Sequence, residues 1–203
     1  MDLIIIRGLP GVGKTLVAKS IEFNLGLTHF EADQYPKNNV YGPMSTFEAT
    51  AERLKEAHSW CQENCQQALE SRRGVVVANV FYKLHYIRPY ILMGMRSGAR
   101  ITVIHIIPSR PPTKFVGRNV YDRMLNEWEQ CPGETSLSTD EASFSIEMMP
   151  DSIQCLAEHH ISEIINNKIK FVDIDRIYRE SQKLATKIGD QNENSRKTYW
   201  FWK

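Results

Sequence analysis

The sequence predicts an α/β fold in which a parallel sheet is flanked by helices. Short apolar runs alternate along the chain with stretches of helical periodicity, a pattern typical of parallel strands joined by helices. The runs at 75–77 and 101–104 are rich in β-branched residues, as expected of strands covered on both faces. With 203 residues, the chain is large enough to bury a full core as one domain.

Apolar runs and helical periodicity divide the chain into elements. Five segments are predicted to be strands, and they are Leu3–Arg7, Thr28–Ala32, Gly74–Asn79, Arg100–Ile107 and Lys170–Ile174. Helices are expected at about 14–25, 45–73, 85–97, 113–128, 151–166 and 176–188. Gly26 and Gly98 are expected to end the first and third helices, because glycine readily adopts the left-handed conformation found there.

The second half of the chain predicts a helical lid and a separate tail. Residues 131–145 are rich in Pro, Gly, Ser, Thr and acids, so we interpret 111–150 as a mobile helical lid. Residues 1–189 then form one domain, and 190–203 form an aromatic tail. We expect the tail aromatics at 199–202 to pack into a groove of their own domain; stacking on a base or docking on another chain are the alternatives.

Composition narrows the class of protein. The 25 basic and 24 acidic residues give a net charge of +1, which argues against a protein that coats long stretches of duplex. No apolar run approaches the about 20 residues needed to span a bilayer, and the N-terminus lacks a signal-peptide pattern. We therefore expect a cytoplasmic protein without membrane contact, in the host cytoplasm if a phage encodes it.

The cysteines are predicted to be reduced. Cys61, Cys65, Cys131 and Cys155 form no C-x-x-C pair. His58, Cys61 and Cys65 share one helical face, which allows a metal site. We favour the interpretation that the thiols are core residues and that His58 is a hydrogen-bonded structural residue.

The strongest motif occupies residues 8–15, which read G-L-P-G-V-G-K-T and match the phosphate-binding loop G-x-x-x-x-G-K-[ST]. A predicted strand precedes it and a predicted helix follows it, as the motif requires. Lys14 is expected to reach the β- and γ-phosphates of ATP, and the Thr15 hydroxyl is expected to hold Mg²⁺. The further nucleotide-binding residues predicted here are Gly8, Pro10, Gly11, Val12, Gly13 and Leu16, and Arg110 is a candidate for stacking on adenine.

An acidic segment at the end of the second strand predicts chemistry beyond nucleotide binding. Asp33 follows that strand, which we expect to lie beside the first strand and to end next to the phosphate loop. A carboxylate there can accept the proton of an incoming hydroxyl while Lys14 and Mg²⁺ stabilise the γ-phosphoryl group. The alternative is that Asp33 caps a helix or binds a water on Mg²⁺.

Several motifs in order resemble a known family. The loop 8–15, the segment 32–35, the helix residues 56–61 and the strand 74–79 are similar to those of the polynucleotide-kinase-like and zeta-toxin-like P-loop kinases. Residues 116–119, at the start of the predicted lid, match as well. The resemblance covers about residues 1–130 and is greatest to the 5′-hydroxyl polynucleotide kinase module of bacteriophage end-repair enzymes. It implies a P-loop kinase fold.

The resemblance also implies roles for individual residues. In that family, the acid that matches Asp33 is the general base, and arginines of the lid that match Arg118 and Arg123 clamp the transferring phosphate. The acceptor side departs from the family. The chain has Ala78-Asn79 where relatives often carry a second acid or Asp-Asn, and it has Pro36 where the phage kinase module has a basic residue. The candidate acceptor-binding residues are Asp33, Tyr35, Lys37 and Asn79.

Three functions remain open. The first is a kinase that phosphorylates a nucleic-acid hydroxyl, either a 5′ end or a hydroxymethylated base, and Lys37, His85, Arg88 and the aromatic tail favour it. The second is a kinase of a small metabolite or nucleotide sugar, which the near-neutral charge favours. The third is a nucleotide-binding switch or accessory protein without catalysis, and Asp33 argues against it because a switch needs no base.

Overall fold

A computed structural model describes residues 1–36, 51–108, 116–138 and 155–166. Within these ranges, the strands are β1 (Asp2–Arg7), β2 (Thr28–Phe30), β3 (Val75–Ala78), β4 (Arg100–Ile107) and β5 (Thr135–Ser138). The helices are α1 (Lys14–Leu25), α2 (Ala51–Glu70), α3 (Leu84–Ser97), α4 (Arg118–Asn126) and α5 (Glu158–Asn166), and a short 3₁₀ helix spans Ala32–Gln34. All strands are parallel, in the order β2-β3-β1-β4-β5.

The sheet is covered on both faces, which explains its apolar strands. On β1, Leu3 and Ile5 pack into a cluster formed with α2 and α3, whereas Ile4 and Ile6 pack into a second cluster formed with α1. Successive strand residues point to opposite faces, so an unbroken apolar run fills both layers at once. The predicted α/β class and its parallel sheet are confirmed.

The strand order corrects the expectation that β2 lies beside β1. β3 pairs with β1 on one side and with β2 on the other, so it separates the two. The predicted β2 also ends early, since the chain turns into the 3₁₀ helix Ala32–Gln34. The acidic segment therefore reaches the phosphate loop from two strands away, across the carboxyl end of β3.

The fifth strand is a second correction. The prediction placed 135–138 in the lid, but Thr135–Ser138 pairs in parallel with Ile104–Ile107 at the edge of the sheet. Only Ser138 of this strand is buried, so its sequence carries no apolar signal. The predicted strand Lys170–Ile174 lies outside the described residues.

The helices agree with the prediction where they are described. α1 and α3 end at Gly26 and Gly98, which both adopt left-handed φ values, of 64° and 65°. α4 and α5 are shorter than expected, and α5 begins only at Glu158. The predicted capping box at 45–48, the helix 176–188 and the tail 190–203 lie outside the described residues. None of the described helices is long and apolar enough to cross a membrane.

Candidate functional site: a phosphate loop and a carboxylate turn

The phosphate loop connects β1 to α1 and is held close to its neighbouring strands. The Gly8 N–H donates to the Val80 carbonyl, with 3.2 Å between the nitrogen and the oxygen. A Cβ at Gly8 would lie 2.8 Å from the Ile106 backbone oxygen, so a larger residue would push the loop off β4. Gly13 precedes α1 with a φ of 94°, a conformation that glycine adopts without strain.

The phosphate loop leads from a buried side chain, that of Val12, into the N-terminus of α1. The Val12 side chain is buried in the α1-side cluster. The first turn of α1 contains no acidic residue, and the first N–H groups of a helix have no partner within the helix. An anion is therefore favoured at this end of α1 by both hydrogen bonding and the helix dipole.

Lys14 and Thr15 open α1 and point in different directions. The Lys14 Nζ donates to the Leu9 carbonyl at 2.8 Å, which places the ammonium over the loop. The Thr15 hydroxyl donates to Glu31 Oε2 at 2.9 Å. The loop is thus in direct contact with the acidic turn that follows β2.

Glu31 is a site residue that the sequence prediction missed. It is the N-cap of the 3₁₀ helix, and its backbone N–H donates to Gln34 Oε1 at 3.1 Å in a capping box. Its Oε2 also lies 3.6 Å from Nε2 of the buried His29. Its position directly after the strand was a signal in the sequence. However, Asp33, two residues further along, matched the family, so the role of the acidic site residue was assigned to Asp33 alone.

Asp33 lies in the 3₁₀ helix, where its side chain is exposed. The turn that carries it is fixed by Asn79, whose buried Oδ1 accepts the Ala32 N–H at 3.0 Å. The amide nitrogen of Asn79 donates to Cys61 Sγ at 3.7 Å. Asn79 therefore positions the acidic turn, and its predicted contact with substrate remains a prediction.

Tyr35 ties the same turn to α2. Its hydroxyl donates to Glu56 Oε2 at 2.8 Å, and its ring centroid lies 6.2 Å from that of Trp60. Trp60 also contacts Phe30 edge-on, so aromatic packing fixes the end of β2 against the helix. These contacts give Tyr35 a structural role, and its predicted role in substrate binding is untested.

His58 and the cysteines belong to the packing around α2. Burial lowers the pKa of His58, and the negative charge of Asp33 opposes that shift, which places His58 in the electrostatic field of the acidic turn. Cys61 and Cys65 are buried, and burial raises the pKa of Cys65 to about 12. A buried thiol with a raised pKa is a poor nucleophile and a poor metal ligand.

The candidate lid arginines lie on α4. Side chains of α4 pack against the α1-side cluster, which includes residues of the loop, so α4 covers the same face of the sheet as α1. The packed residues of α4 are Tyr121, Met124 and Leu125. Arg118 and Arg123 are both exposed on this helix, and Arg118 Nε lies 3.7 Å from Asp122 Oδ2. Five residues on a helix correspond to a rotation of about 140° between the two side chains. The other two candidate cations, Lys37 and Arg110, lie outside the described residues.

A buried ionic cluster lies behind the loop. Arg7, fully buried and directly before Gly8, donates to Glu134 Oε2 at 3.0 Å and to the Glu129 carbonyl at 2.7 Å. Its guanidinium carbon lies 4.2 Å from the centroid of Trp128. The segment 127–134, predicted as part of the lid, is thereby fixed to the end of β1.

Three solved structures are among those to which the chain is similar. The gluconokinase of Sinorhizobium meliloti is 16% identical, with a TM-score of 0.47, over 92% of this chain and 97% of that one. The APS kinase CysC of Mycobacterium tuberculosis, in complex with AMPPNP and APS, is 14% identical, with a TM-score of 0.48, over 74% of this chain and 96% of that one. A protein of the PezAT toxin–antitoxin system of Streptococcus pneumoniae is 9% identical, with a TM-score of 0.49, over 92% and 86%.

The family is shown by a sequence-based comparison. A family model described as an AAA domain matches residues 3–120, more than half of the chain. This range contains the phosphate loop, the acidic turn and, apart from Asp2, the strands β1 to β4. The parallel sheet, with a phosphate-binding loop between β1 and α1, is an α/β fold of the P-loop type. The chain therefore belongs to this AAA-domain family of P-loop proteins.

Proposed function

We propose that this protein is an ATP- and Mg²⁺-dependent kinase that transfers the γ-phosphoryl group to a hydroxyl of a nucleic acid. The observation that carries the kinase proposal is the contact between the phosphate loop and the acidic turn, the Thr15–Glu31 hydrogen bond of 2.9 Å. It brings Asp33, two residues further along, to the same edge of the sheet as the loop. A site of this kind can serve transfer as well as binding.

The proposed reaction assigns one step to each group. The acceptor oxygen bonds to the γ-phosphorus as the bond from that phosphorus to the β–γ bridging oxygen breaks, which releases ADP. Asp33 accepts the proton of the hydroxyl, and Lys14 with a lid arginine, Arg118 or Arg123, stabilises the phosphoryl oxygens. Mg²⁺, when bound through Thr15, neutralises charge on the β- and γ-phosphates.

A nucleic-acid acceptor is supported by exposed aromatic side chains at the start of α3. The chain after β3 runs past Gly8, through the Gly8–Val80 hydrogen bond, into α3. There, the rings of His85 and Tyr86 are exposed and lie 4.0 Å apart between centroids. Exposed aromatic rings are platforms on which bases stack. The rival acceptor, a small metabolite, is favoured by the net charge of +1.

The test is transfer from γ-labelled ATP to a panel of acceptors. The panel contains 5′-hydroxyl oligonucleotides, hydroxymethylated DNA, nucleosides and sugars, and the Lys14→Ala variant reports contaminating kinases. We expect label on a nucleic acid. We also expect Tyr86→Ala to lower kcat/KM for it by about 5- to 150-fold, since base stacking on an aromatic contributes about 1–3 kcal/mol. Label on a sugar or nucleoside alone would replace the nucleic-acid acceptor, and no label on any acceptor would contradict the kinase.

A further inference from the structure

β3, one of the two strands beside β1, provides no acid for a metal ion. In phosphate-loop NTPases, the loop Ser or Thr and an Asp of the Walker B segment hold the Mg²⁺ that accompanies the nucleotide. Here, β3 is Val75–Ala78, and Asn79 follows it. Both polar atoms of the Asn79 side chain are engaged, with Ala32 and Cys61. The end of β3 is thus built to hold the acidic turn and contributes no charge.

Glu31 brings a carboxylate to the loop from the other side of β3. Its Oε2 accepts the hydrogen bond of the Thr15 hydroxyl at 2.9 Å, and its side chain is only 13% exposed. The backbone is fixed on both sides, by the Gln34 capping box and by the Asn79–Ala32 bond. These contacts within the protein hold the carboxylate at the loop, and none of them requires a bound nucleotide.

A carboxylate in this place opposes ATP binding unless a cation lies between them. Glu31 and the triphosphate are both negative, and like charges a few Å apart repel each other. Mg²⁺ is bound by oxygen ligands and commonly takes one or two carboxylates with substrate phosphates and water. Among the described residues, no three His, Cys, Asp or Glu side chains gather into a metal site. Phosphate oxygens and water would supply the further ligands of the ion. The oxygen donors of Thr15 and Glu31 fit that requirement.

We propose that Glu31, and not Asp33, is the acidic residue on the metal side of the nucleotide site, acting together with Thr15. Asp33 is then left for the acceptor. This inference rests on the proposed binding of ATP, but it does not depend on phosphoryl transfer or on any acceptor.

The test measures the affinity for ATP by calorimetry with Mg²⁺ and with EDTA, in the wild type and in Glu31→Gln. The wild type should bind ATP more tightly with Mg²⁺. In Glu31→Gln, we expect this gain to fall by about 10-fold or more, the usual effect of losing a group that supports a metal site. Metal-free ATP should bind the variant more tightly than the wild type, because the repulsion is gone. Replacing a residue that only supports the fold is not expected to change the ATP affinity in opposite directions with Mg²⁺ and with EDTA.

Two controls separate the outcomes. Glu22→Gln makes the same change at an acid that also contacts His29 but lies at the end of α1 away from the loop, and it should keep the wild-type affinities in both buffers. Asp33→Asn should keep the wild-type gain from Mg²⁺. The role of Glu31 would be overturned, and the kinase proposal left intact, by either of two results. Mg²⁺ could raise the ATP affinity of Glu31→Gln as much as that of the wild type, or the variant could lose the same ATP affinity with Mg²⁺ and with EDTA. If Glu31→Gln loses the gain in ATP affinity from Mg²⁺ but the wild type labels no acceptor in the panel, the role of Glu31 is supported and the kinase proposal is overturned. A wild type that binds no ATP would overturn both proposals.

Discussion

The Asp33→Asn variant is expected to lose phosphoryl transfer by about 100- to 10,000-fold, the range typical of a missing general base. The amide has nearly the shape of the carboxylate, but it cannot accept the proton of the hydroxyl. The 3₁₀ helix that holds it is fixed by Asn79 and Glu31, so the turn should stay in place. The measurements are kcat with the labelled acceptor and the dissociation constant for ATP.

Asp2→Asn is the matched control for this prediction, because Asp2 lies at the opposite end of β1 and pairs with Arg100. It should leave both kcat and the ATP affinity unchanged. An Asp33→Asn variant with a normal kcat would refute the base. A variant that lost ATP affinity to the same degree as kcat would instead place Asp33 on the nucleotide side of the site.

The second large effect is on stability. Arg7→Met is expected to lower the free energy of unfolding by about 3–5 kcal/mol, because it removes the buried guanidinium from the Glu134 carboxylate. His105 Nδ1, 3.6 Å from Glu134 Oε1, stays beside that carboxylate. The Arg7 side chain is fully buried, and that of Glu134 is 6% exposed. Urea unfolding, followed by circular dichroism, measures the change. The double variant with Glu134→Gln should regain part of the loss, since it removes the stranded charge.

Arg100→Met serves as the control for the buried pair. Arg100 forms a shorter contact with Asp2, of 2.7 Å against 3.0 Å for Arg7 and Glu134, but its side chain is 70% exposed. We expect a loss of about 1 kcal/mol or less, because water screens surface ion pairs. Equal losses in Arg7→Met and Arg100→Met would show that the pair behind the loop adds no more than a surface pair.

The loop and the central strands were predictable because their signals are local. The phosphate-loop motif is complete within the eight residues 8–15. The apolar runs of β1, β3 and β4 are continuous because both faces of the sheet are buried. β5 was missed since an edge strand buries little. Its residues Thr135–Ser138 form backbone hydrogen bonds with β4, which any side chains permit.

The details of the site depended on contacts that sequence patterns do not encode. The strand order β2-β3-β1 was not predictable from the alternation of strands and helices, so the sequence did not indicate which acid meets Thr15. Asn79 was recognised as unusual, but its bond to Ala32 joins residues 47 positions apart. The Arg7–Glu134 pair joins residues 127 positions apart, and no local pattern marks it.

The most direct test of the site is a calorimetric titration of the wild type and Lys14→Ala with ATP and Mg²⁺. We expect one ATP per chain in the wild type and an affinity about 10- to 100-fold lower in the variant, which lacks a charge-assisted contact to the phosphates. Lys19→Ala, on the exposed side of the same helix, should bind ATP as the wild type does. Equal affinities in the wild type and Lys14→Ala, or no binding to either, would contradict a nucleotide site at residues 8–15.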